Sequence, residues 1–393
     1  MSVNFRQRSR LILAKIQAAE DTEETPTPAA DAARVINPRF TPDLLSLSTA
    51  EEVTNSLSIA APIFGGGRSG MTFGAFVRGA GTAGTAPEYG PLLRACGFSE
   101  TLMTPAVTGT AQAGDADTIT LAAAEPATDD IYKAMPIRLT GGTGSGQRNL
   151  IKAYDGATKI ATVVVPWTTE PDATSLYSID ENAVYRPITV APEFITIWSY
   201  LHHNDPGEDS IRSRLADGAG TFSVALRPQQ LGRFDFTFRG ELPDSPDSVA
   251  RPADPVYPSV EPESFIGGDA ALGGLPVKFS DFSCDLGLTV EQHEDAAAAL
   301  GFDSAQPTLR QPTGRIVPPV LPLASSDPFA DWRNSVSRDL WLNWGSAAGK
   351  RVSFFFPAIR YTGHEESDNR GFAARTLPFQ ATGLDDELWI TVH

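Results

Sequence analysis

Two short segments with strict two-residue alternation constrain this chain more than any other feature of its sequence. In residues 221–227 and 234–239 every second side chain is apolar. The apolar set is Phe222, Val224, Leu226, Phe234, Phe236 and Phe238, and the polar residues between them include Thr221, Ser223, Asp235, Thr237 and Arg239. A period of two places each set on one face of a β-strand. Since the intervening residues 228–232 suit a hairpin connection, the sequence predicts an antiparallel hairpin with one buried and one polar face.

Further strand signals run through most of the chain and fall into two groups. Between about residues 105 and 184, short candidates recur at intervals of 10 to 20 residues and are separated by Gly, Asp and Pro. This spacing is typical of a small all-β domain. The short candidates are 118–122, 137–140, 149–154, 160–165 and 175–179, and those outside this block are 71–78, 277–288, 351–356, 375–382 and 387–392.

Helical signals are confined to three short segments. Residues 88–96 are followed by Gly97, a suitable left-handed helix stop, and residues 291–300 contain four consecutive alanines. In residues 327–342 apolar side chains recur at steps of three and four. Residues 25–62 contain five prolines and no sustained period, which predicts an extended arm. We therefore expect a mainly β chain with an antiparallel sandwich or barrel core, one or two short helices and an inserted small all-β domain.

The charge balance of the chain argues against a protein that grips nucleic acid. Forty-eight acidic and 31 basic side chains give a formal charge of −17, so most of the surface should repel phosphate. Cys96 and Cys284 are too few for a disulfide framework, and we expect buried thiols in a reducing compartment. The apolar run 11–14 is shorter than the roughly 7 residues that a signal peptide needs, and no run approaches the ~18 residues of a membrane span. These features predict a soluble product made in the cytoplasm, without membrane insertion.

No group of residues has the spacing of a catalytic, cofactor or metal site. The Gly-rich run 141–146 is followed by Gln147 and Arg148 rather than by the Lys-Ser/Thr pair of a P-loop, which favours a turn between strands. The adjacent His202 and His203 would point to opposite faces of a strand. Other candidates also lack partners in the sequence: Cys96, the fragment Glu291, His293 and Glu294, and the acidic pairs Asp129-Asp130 and Asp385-Asp386. We expect no enzyme activity, no cofactor and no metal.

Three tryptophans, Trp332, Trp341 and Trp344, lie within 13 residues of one another. Aromatic faces can stack on sugars, but the mixed spacing beside Phe329 and Leu340 favours packing in a core or an interface. Sugar binding stays a secondary hypothesis, which concerns residues 105–184.

Several motifs outside residues 105–184, most of them rich in glycine or aromatic residues, are informative only in combination. They are 13–17, 76–79 leading into 81–87, 89–98, 218–223, 232–240 and 369–371. In combination they resemble the tail tube proteins of long-tailed, siphovirus-type bacteriophages, over residues 1–104 and 185–393. The block from Asp129 through Gly146 to Ile179 resembles a small β module that recurs in phage structural proteins.

The resemblance implies a protein of the virion tail that is made in the host cytoplasm and acts by assembly. Residues 1–104, with the arm 25–62, and residues 185–393 would form the tail-tube core, and residues 105–184 an inserted domain on its outer surface. Homohexameric rings would stack into a tube through which DNA passes without specific binding. The implied partners are further copies of the chain and the tail terminator, tape measure and distal tail proteins. The family has no catalytic residues to carry over.

Within that tube we expect the polar face of the hairpin to line the lumen. The residues concerned are Thr221, Ser223, Asp235 and Thr237, and Arg239 would then need an acidic partner. The chain's net negative charge predicts a wall that does not retain DNA by counterion release.

Two other classes of protein stay open at the level of sequence. One is a tail decoration or adhesin protein whose 105–184 module binds host-surface glycans, with the rest of the chain as its anchor. The other is a hydrolase, for which the sequence offers no motif.

Overall fold

The computed structural model describes residues 4–48, 52–53, 57–58, 61–243 and 246–393. Half of the chain is in β-strands and 3% is helical, which confirms the mainly β, antiparallel prediction with its short helices. The main sheet does not close into a barrel within one chain. Among the described residues no helix is long and apolar enough to cross a membrane.

The elements of the described residues fall into three stretches of the chain. The first holds β1 (Phe5–Ile16), β2 (Ala32–Ala33), β3 (Ile36–Phe40), β4 (Asp43–Leu47), β5 (Ile63–Phe76), α1 (Gly90–Arg94) and β6 (Phe98–Met103). The second holds β7 (Val107–Thr110), β8 (Ala113–Gly114), β9 (Thr118–Thr120), β10 (Pro136–Gly141), β11 (Arg148–Asp155), β12 (Ile160–Val163) and β13 (Leu176–Ile179). The third holds β14 (Asn182–Pro187), β15 (Ile195–His203), β16 (Ser210–Leu226), β17 (Arg233–Glu241), β18 (Asp247–Val249), β19 (Asp269–Leu272), β20 (Leu275–Pro276), β21 (Phe282–Asp285), β22 (Leu288–Glu294), β23 (Phe302–Arg310), β24 (Thr313–Ile316), α2 (Pro328–Arg333), β25 (Arg338–Trp344), β26 (Val352–Tyr361), β27 (Glu365–Asn369), β28 (Phe372–Ala381) and β29 (Trp389–Val392).

Seven neighbouring strands form the middle of the main sheet, and each pair among them is antiparallel. Their order is β5, β17, β16, β21, β24, β28 and β26. The predicted hairpin lies in this part of the sheet, with Ala225 opposite Arg233 and Ala219 opposite Arg239. β16 is longer than predicted, because its first half pairs with β15, and β15 pairs in turn with β1. Beyond β26 the sheet continues through β29 and β14 to β6.

The alternating phenylalanines of the hairpin lie in the centre of the core. Each is at most 1% exposed: Phe222, Phe234, Phe236 and Phe238. The rings of Phe222 and Phe234 meet edge to face with centroids 5.3 Å apart, a geometry that aromatic quadrupoles favour. The two-residue period therefore separates core from surface as predicted.

A second sheet of seven strands covers residues 107–179 in the order β7, β13, β10, β11, β12, β9 and β8. Each of the five predicted strands is present, and β7 and β8 are additional. The two ends of this segment lie side by side, since Met103 at the end of β6 is opposite Asn182 at the start of β14. Its hydrophobic core continues into the main sheet through Trp341, Phe355 and Trp389.

The prediction of an extended arm over residues 25–62 is wrong for much of the described segment. β2 pairs with β1, and both β3 and β4 pair with β5. Pro38 is tolerated within β3 because it lies at a register shift between Ile36 and Arg39, where a missing ladder N–H costs little. Residues 1–3, 49–51, 54–56 and 59–60 lie outside the described residues.

Two of the three predicted helices are wrong in type or extent. The first exists as α1 and is followed by Gly97 with φ +79°. Residues 291–294 belong instead to strand β22, which pairs with β23, because Val290 and Gln292 are buried alternately. The third helix ends at Arg333. The chain re-enters the sheet as β25, whose alternate residues Leu340 and Leu342 are fully buried.

The predicted strand 277–288 is divided in two. Gly287 lies between β21 and β22 with φ +58°, and a Cβ there would come within 2.4 Å of the Gln311 carbonyl oxygen. The chain therefore turns at this residue instead of extending.

Candidate assembly surfaces

The four residues predicted to face a lumen lie together on the solvent side of the hairpin. Thr221 is the cross-strand partner of Thr237, and Ser223 is the partner of Asp235. Asp235 and Thr237 are exposed, whereas Thr221 and Ser223 are half-buried. We call the outward-facing residues of β5, β17, β16, β21 and β24 the polar face. That this face lines a lumen remains a prediction.

An ion pair lies flat on the polar face. Nε and Nη2 of Arg233 donate to Oδ1 of Asp235 at 2.8 and 2.5 Å. Gly74 of β5 lies opposite Asp235, and a Cβ at Gly74 would come within 2.8 Å of Arg233 Nε and 3.0 Å of Asp235 Oδ1. Glycine at this position therefore leaves the space that the pair occupies.

The charge of the polar face is mixed, in contrast to the acidic chain as a whole. At one end of this face Asp281, which directly precedes β21, accepts from Arg227, which directly follows β16, at 2.7 Å and from Arg315 of β24 at 2.6 Å. Within the described part of the chain no carboxylate lies within ion-pairing distance of Arg239, so the acidic partner expected for it is not found there. The net negative charge of the whole chain therefore does not describe the charge of this face.

An apolar two-stranded ribbon projects from one edge of the main sheet. It consists of β4 and the first part of β5, residues 43–47 and 63–68, with Leu47 opposite Ile63 and Asp43 opposite Arg68. Its large side chains are about half exposed: Leu44 52%, Leu45 51%, Leu47 49%, Ile63 56% and Phe64 57%. β17 pairs with β5 only as far as Ser69, so the ribbon extends beyond the end of β17. Exposed apolar side chains grouped on one projecting ribbon favour an interaction site, and an isolated two-stranded ribbon is marginal in water.

An acidic cluster lies at the same end of the sheet. Carboxylate oxygens of Asp21, Glu241 and Asp303 lie within 4.8 Å of one another. Asp217 is 2% exposed and accepts a hydrogen bond from the Asp21 backbone N–H at 2.8 Å. Burial, together with the charges of Asp217, Asp21 and Asp303, raises the pKa of Glu241 to about 7. Burial likewise raises the pKa of Asp217.

Several residues that the sequence suggested as possible phosphate-binding, metal-binding or nucleophilic groups lie in turns or in the core. The Gly-rich run lies in the turn between β10 and β11, where the Gln147 side chain donates to the Gly144 and Thr169 carbonyls. His202 is buried with Nδ1 2.9 Å from Ser210 Oγ, whereas His203 is half-buried. Cys96 and Cys284 are buried, and burial raises the pKa of both thiols, which disfavours the reactive thiolate.

The three clustered tryptophans divide between core and surface. Trp341 and Trp344 are buried, while Trp332 is 39% exposed and meets Phe329 edge to face. The predicted core packing is therefore confirmed for Trp341 and Trp344.

Sequence reasoning missed both the ribbon and the acidic cluster. The ribbon had a local signal in the apolar residues Leu44, Leu45 and Leu47, but the neighbouring prolines outweighed it. The cluster had none, since Asp21, Glu241 and Asp303 are far apart in the sequence and meet only through the pairing of strands.

Comparison with known proteins adds no assignment to these surfaces. The chain matches no protein-family model, and no curated protein matches it.

Proposed function

We propose that this chain is a structural protein that forms stacked hexameric rings, the tail tube of a long-tailed bacteriophage, through which the genome is delivered. The observation that carries the proposal is the apolar ribbon. Burying five half-exposed Leu, Ile and Phe side chains against another copy is favourable, at about 25 cal/mol for each Å² of apolar surface removed from water.

The open main sheet supports the same proposal. Within the described residues β3 pairs only with β5, and β6 pairs only with β14. Unpaired strand edges invite further strands, and a barrel shared between copies removes them. A sheet that is left open in one chain is what a ring of identical subunits can close.

The polar face is suited to a conduit. Its exposed threonine carries no charge, and Asp235 and Asp281 partly neutralise Arg233, Arg227 and Arg315. These carboxylates weaken the hold of the face on phosphates, which favours passage of DNA over retention.

The adhesin alternative lacks a binding platform. All of residues 105–184 are described, and every aromatic side chain in them is buried: Tyr132, Tyr154, Trp167 and Tyr177. Stacking on a sugar ring needs an exposed aromatic face, which this domain does not offer.

Negative-stain microscopy and native mass measurement of the purified chain test the proposal. We expect hollow rings of six copies that stack at high protein concentration. A chain that stays monomeric at every concentration and salt, or that is retained on immobilised glycans as a monomer, would refute it.

A further inference from the structure

We propose that copies of this chain stack head to tail through opposite charges at the two ends of β16. The carboxylates of Asp21, Glu241 and Asp303 in one copy would receive Arg227 and Arg315 of the next. This inference rests on the proposed function and names the contact between successive rings.

The acidic end lacks cations of its own. Asp21, Glu241 and Asp303 share a depression with Asp295, and within the described residues none of the four forms an ion pair. Arg68, whose guanidinium lies over the Phe302 ring at 5.3 Å, is paired with Asp43 instead. Like charges held this close are unfavourable unless one of them is protonated or a cation is supplied, and a guanidinium fork suits a pair of carboxylates.

The basic end has an excess of cations. Arg227 and Arg315 are both about half exposed, and both bind the single carboxylate of Asp281. Lys278 lies three residues before Asp281, is exposed, and forms no ion pair in the part of the chain that the structure describes. Two arginines that share one carboxylate keep donors free for acceptors on another molecule.

The two groups lie at opposite ends of the same strand. Glu241 is close to Ala216, its partner on β16, whereas Asp281 and Arg227 flank the pair Leu226 and Phe282. Ten residues of strand separate Ala216 from Leu226, which corresponds to about 30 Å at ~3.3 Å per residue. One copy cannot bring its own two ends together, so the complementary partner must be a second molecule.

Apolar surface accompanies the charges at both ends. The ribbon lies at the acidic end, where the Gly67 N–H donates to the Leu300 carbonyl at 3.1 Å beside the depression. At the basic end the hairpin turn exposes Leu231, and the adjoining segment exposes Ile266, with Phe265 N–H bonded to the Gln230 carbonyl. Each end thus has an apolar patch next to charged side chains, which are acidic at one end and basic at the other.

A contact between two different surfaces of identical chains is heterologous and repeats without limit unless it closes on itself. Applied along the axis of a ring, it yields an open stack. A self-complementary contact would instead end at two rings.

Two charge-reversed variants test the proposal, Glu241→Lys/Asp303→Lys at the acidic end and Arg227→Glu/Arg315→Glu at the basic end. Each variant alone should still form rings but lower the fraction of stacked rings by at least about tenfold. Mixed together, they should stack again, because the intact basic end of the first meets the intact acidic end of the second, and the introduced lysines meet the introduced glutamates. Asp117→Lys/Glu170→Lys, a matched reversal of exposed acids in the 105–184 domain, should stack normally.

The outcomes separate this inference from the proposed function. If wild-type rings stack and both variants stack equally well, the inference is wrong while the tube proposal stands; if the wild type forms no rings, the tube proposal itself fails. Stacking that is abolished by a chelator and insensitive to Arg227→Glu/Arg315→Glu would assign the acidic cluster to a divalent cation instead. Should a reversed variant misfold, the neutral pairs Glu241→Gln/Asp303→Asn and Arg227→Gln/Arg315→Gln replace them. Each should stack less well alone, and the two mixed should form pairs of rings and nothing longer, because only one intact acidic end then meets one intact basic end.

Discussion

Arg233 and Asp235 are joined by a 2.5 Å ion pair although they belong to the same strand, two residues apart. Both project from the polar face, and Gly74 on the neighbouring strand leaves room for them. Because the pair is satisfied within one subunit, Asp235 neutralises a cation that would otherwise face the solvent.

Replacing Asp235 should therefore change the electrostatics of the polar face more than its structure. Asp235→Lys removes the partner of Arg233 and adds a second cation, so DNA passing the face should be retained and genome release slowed, most strongly at low salt. Ejection kinetics of assembled particles measure this, and Asp235→Asn should give a smaller effect in the same direction. Unchanged ejection with normal tubes would show that the polar face does not line the lumen.

The ribbon should matter for assembly and little for the stability of the chain. In Leu44→Ser/Phe64→Ser two half-exposed side chains become polar, so the free energy of unfolding of the single chain should change by less than about 1 kcal/mol. The concentration needed for assembly should rise at least about tenfold, as light scattering or sedimentation can measure. Val190→Ser, at a residue 82% exposed and away from the ribbon, is the control. Assembly at the wild-type concentration would remove the ribbon from the contact.

Gly79 should tolerate a methyl group far less well than Gly74. A Cβ at Gly79 would lie 2.1 Å from the Gly349 carbonyl oxygen and 2.5 Å from Lys350 Cα, so backbone must move in Gly79→Ala. At Gly74 the same methyl meets only the tips of the Arg233 and Asp235 side chains. We expect Gly79→Ala to cost about 1–3 kcal/mol and Gly74→Ala less than about 1 kcal/mol in urea unfolding. Equal costs would contradict the packing described around Gly79.

Glu241 should make the unassembled chain less stable as the pH rises. Its pKa is about 7 in the folded chain against an ordinary value of 4.5, so the folded state holds the proton more tightly. Stability is unaffected by this group below about pH 4.5, falls between pH 4.5 and 7, and stays reduced above. Glu241→Gln should therefore raise the melting temperature by a few degrees at pH 8 and hardly change it at pH 4.

Thermal melts of Glu170→Gln, an exposed carboxylate of the 105–184 domain, provide the comparison. A benefit of Glu241→Gln that is the same at both pH values would mean that burial and the charges of Asp217, Asp21 and Asp303 do not raise the pKa of Glu241.

The 105–184 domain should be removable once its contacts with the main sheet are taken into account. Deleting residues 106–183 would cut into β14, which pairs with both β6 and β29, so the deletion should run from 106 to 180 with a short linker. It would also expose Trp341, Phe355 and Trp389, and these should be replaced by Gln, Thr and Gln. Rings of normal diameter are then expected by microscopy. Loss of all ring formation in a folded variant would show that the domain belongs to the contact between subunits.

The sequence by itself determined the mainly β character, the hairpin and the turn after α1. These features depend on local rules: the two-residue alternation from Phe222 to Phe238 fixes which side chains are buried, and Gly97 can adopt the positive φ that ends the helix. The same rules failed where local and tertiary preferences disagree. Residues 291–294 and 338–342 contain helix-compatible spacing. In the structure they pair with β23 and β26 instead, because these strands supply partners for their backbone N–H and C=O groups.

Only the tertiary structure decided which charges and apolar side chains meet. Glu241 lies opposite Ala216 of β16, the Asp21 N–H donates to Asp217 of the same strand, and Ser304, next to Asp303, donates to Glu20. No sequence period connects the three acids, and the length of β16 places Arg227 and Arg315 about 30 Å away. Distant segments become neighbours through long-range strand pairing, whose register depends on the burial of the whole core and cannot be obtained from any short stretch of the chain.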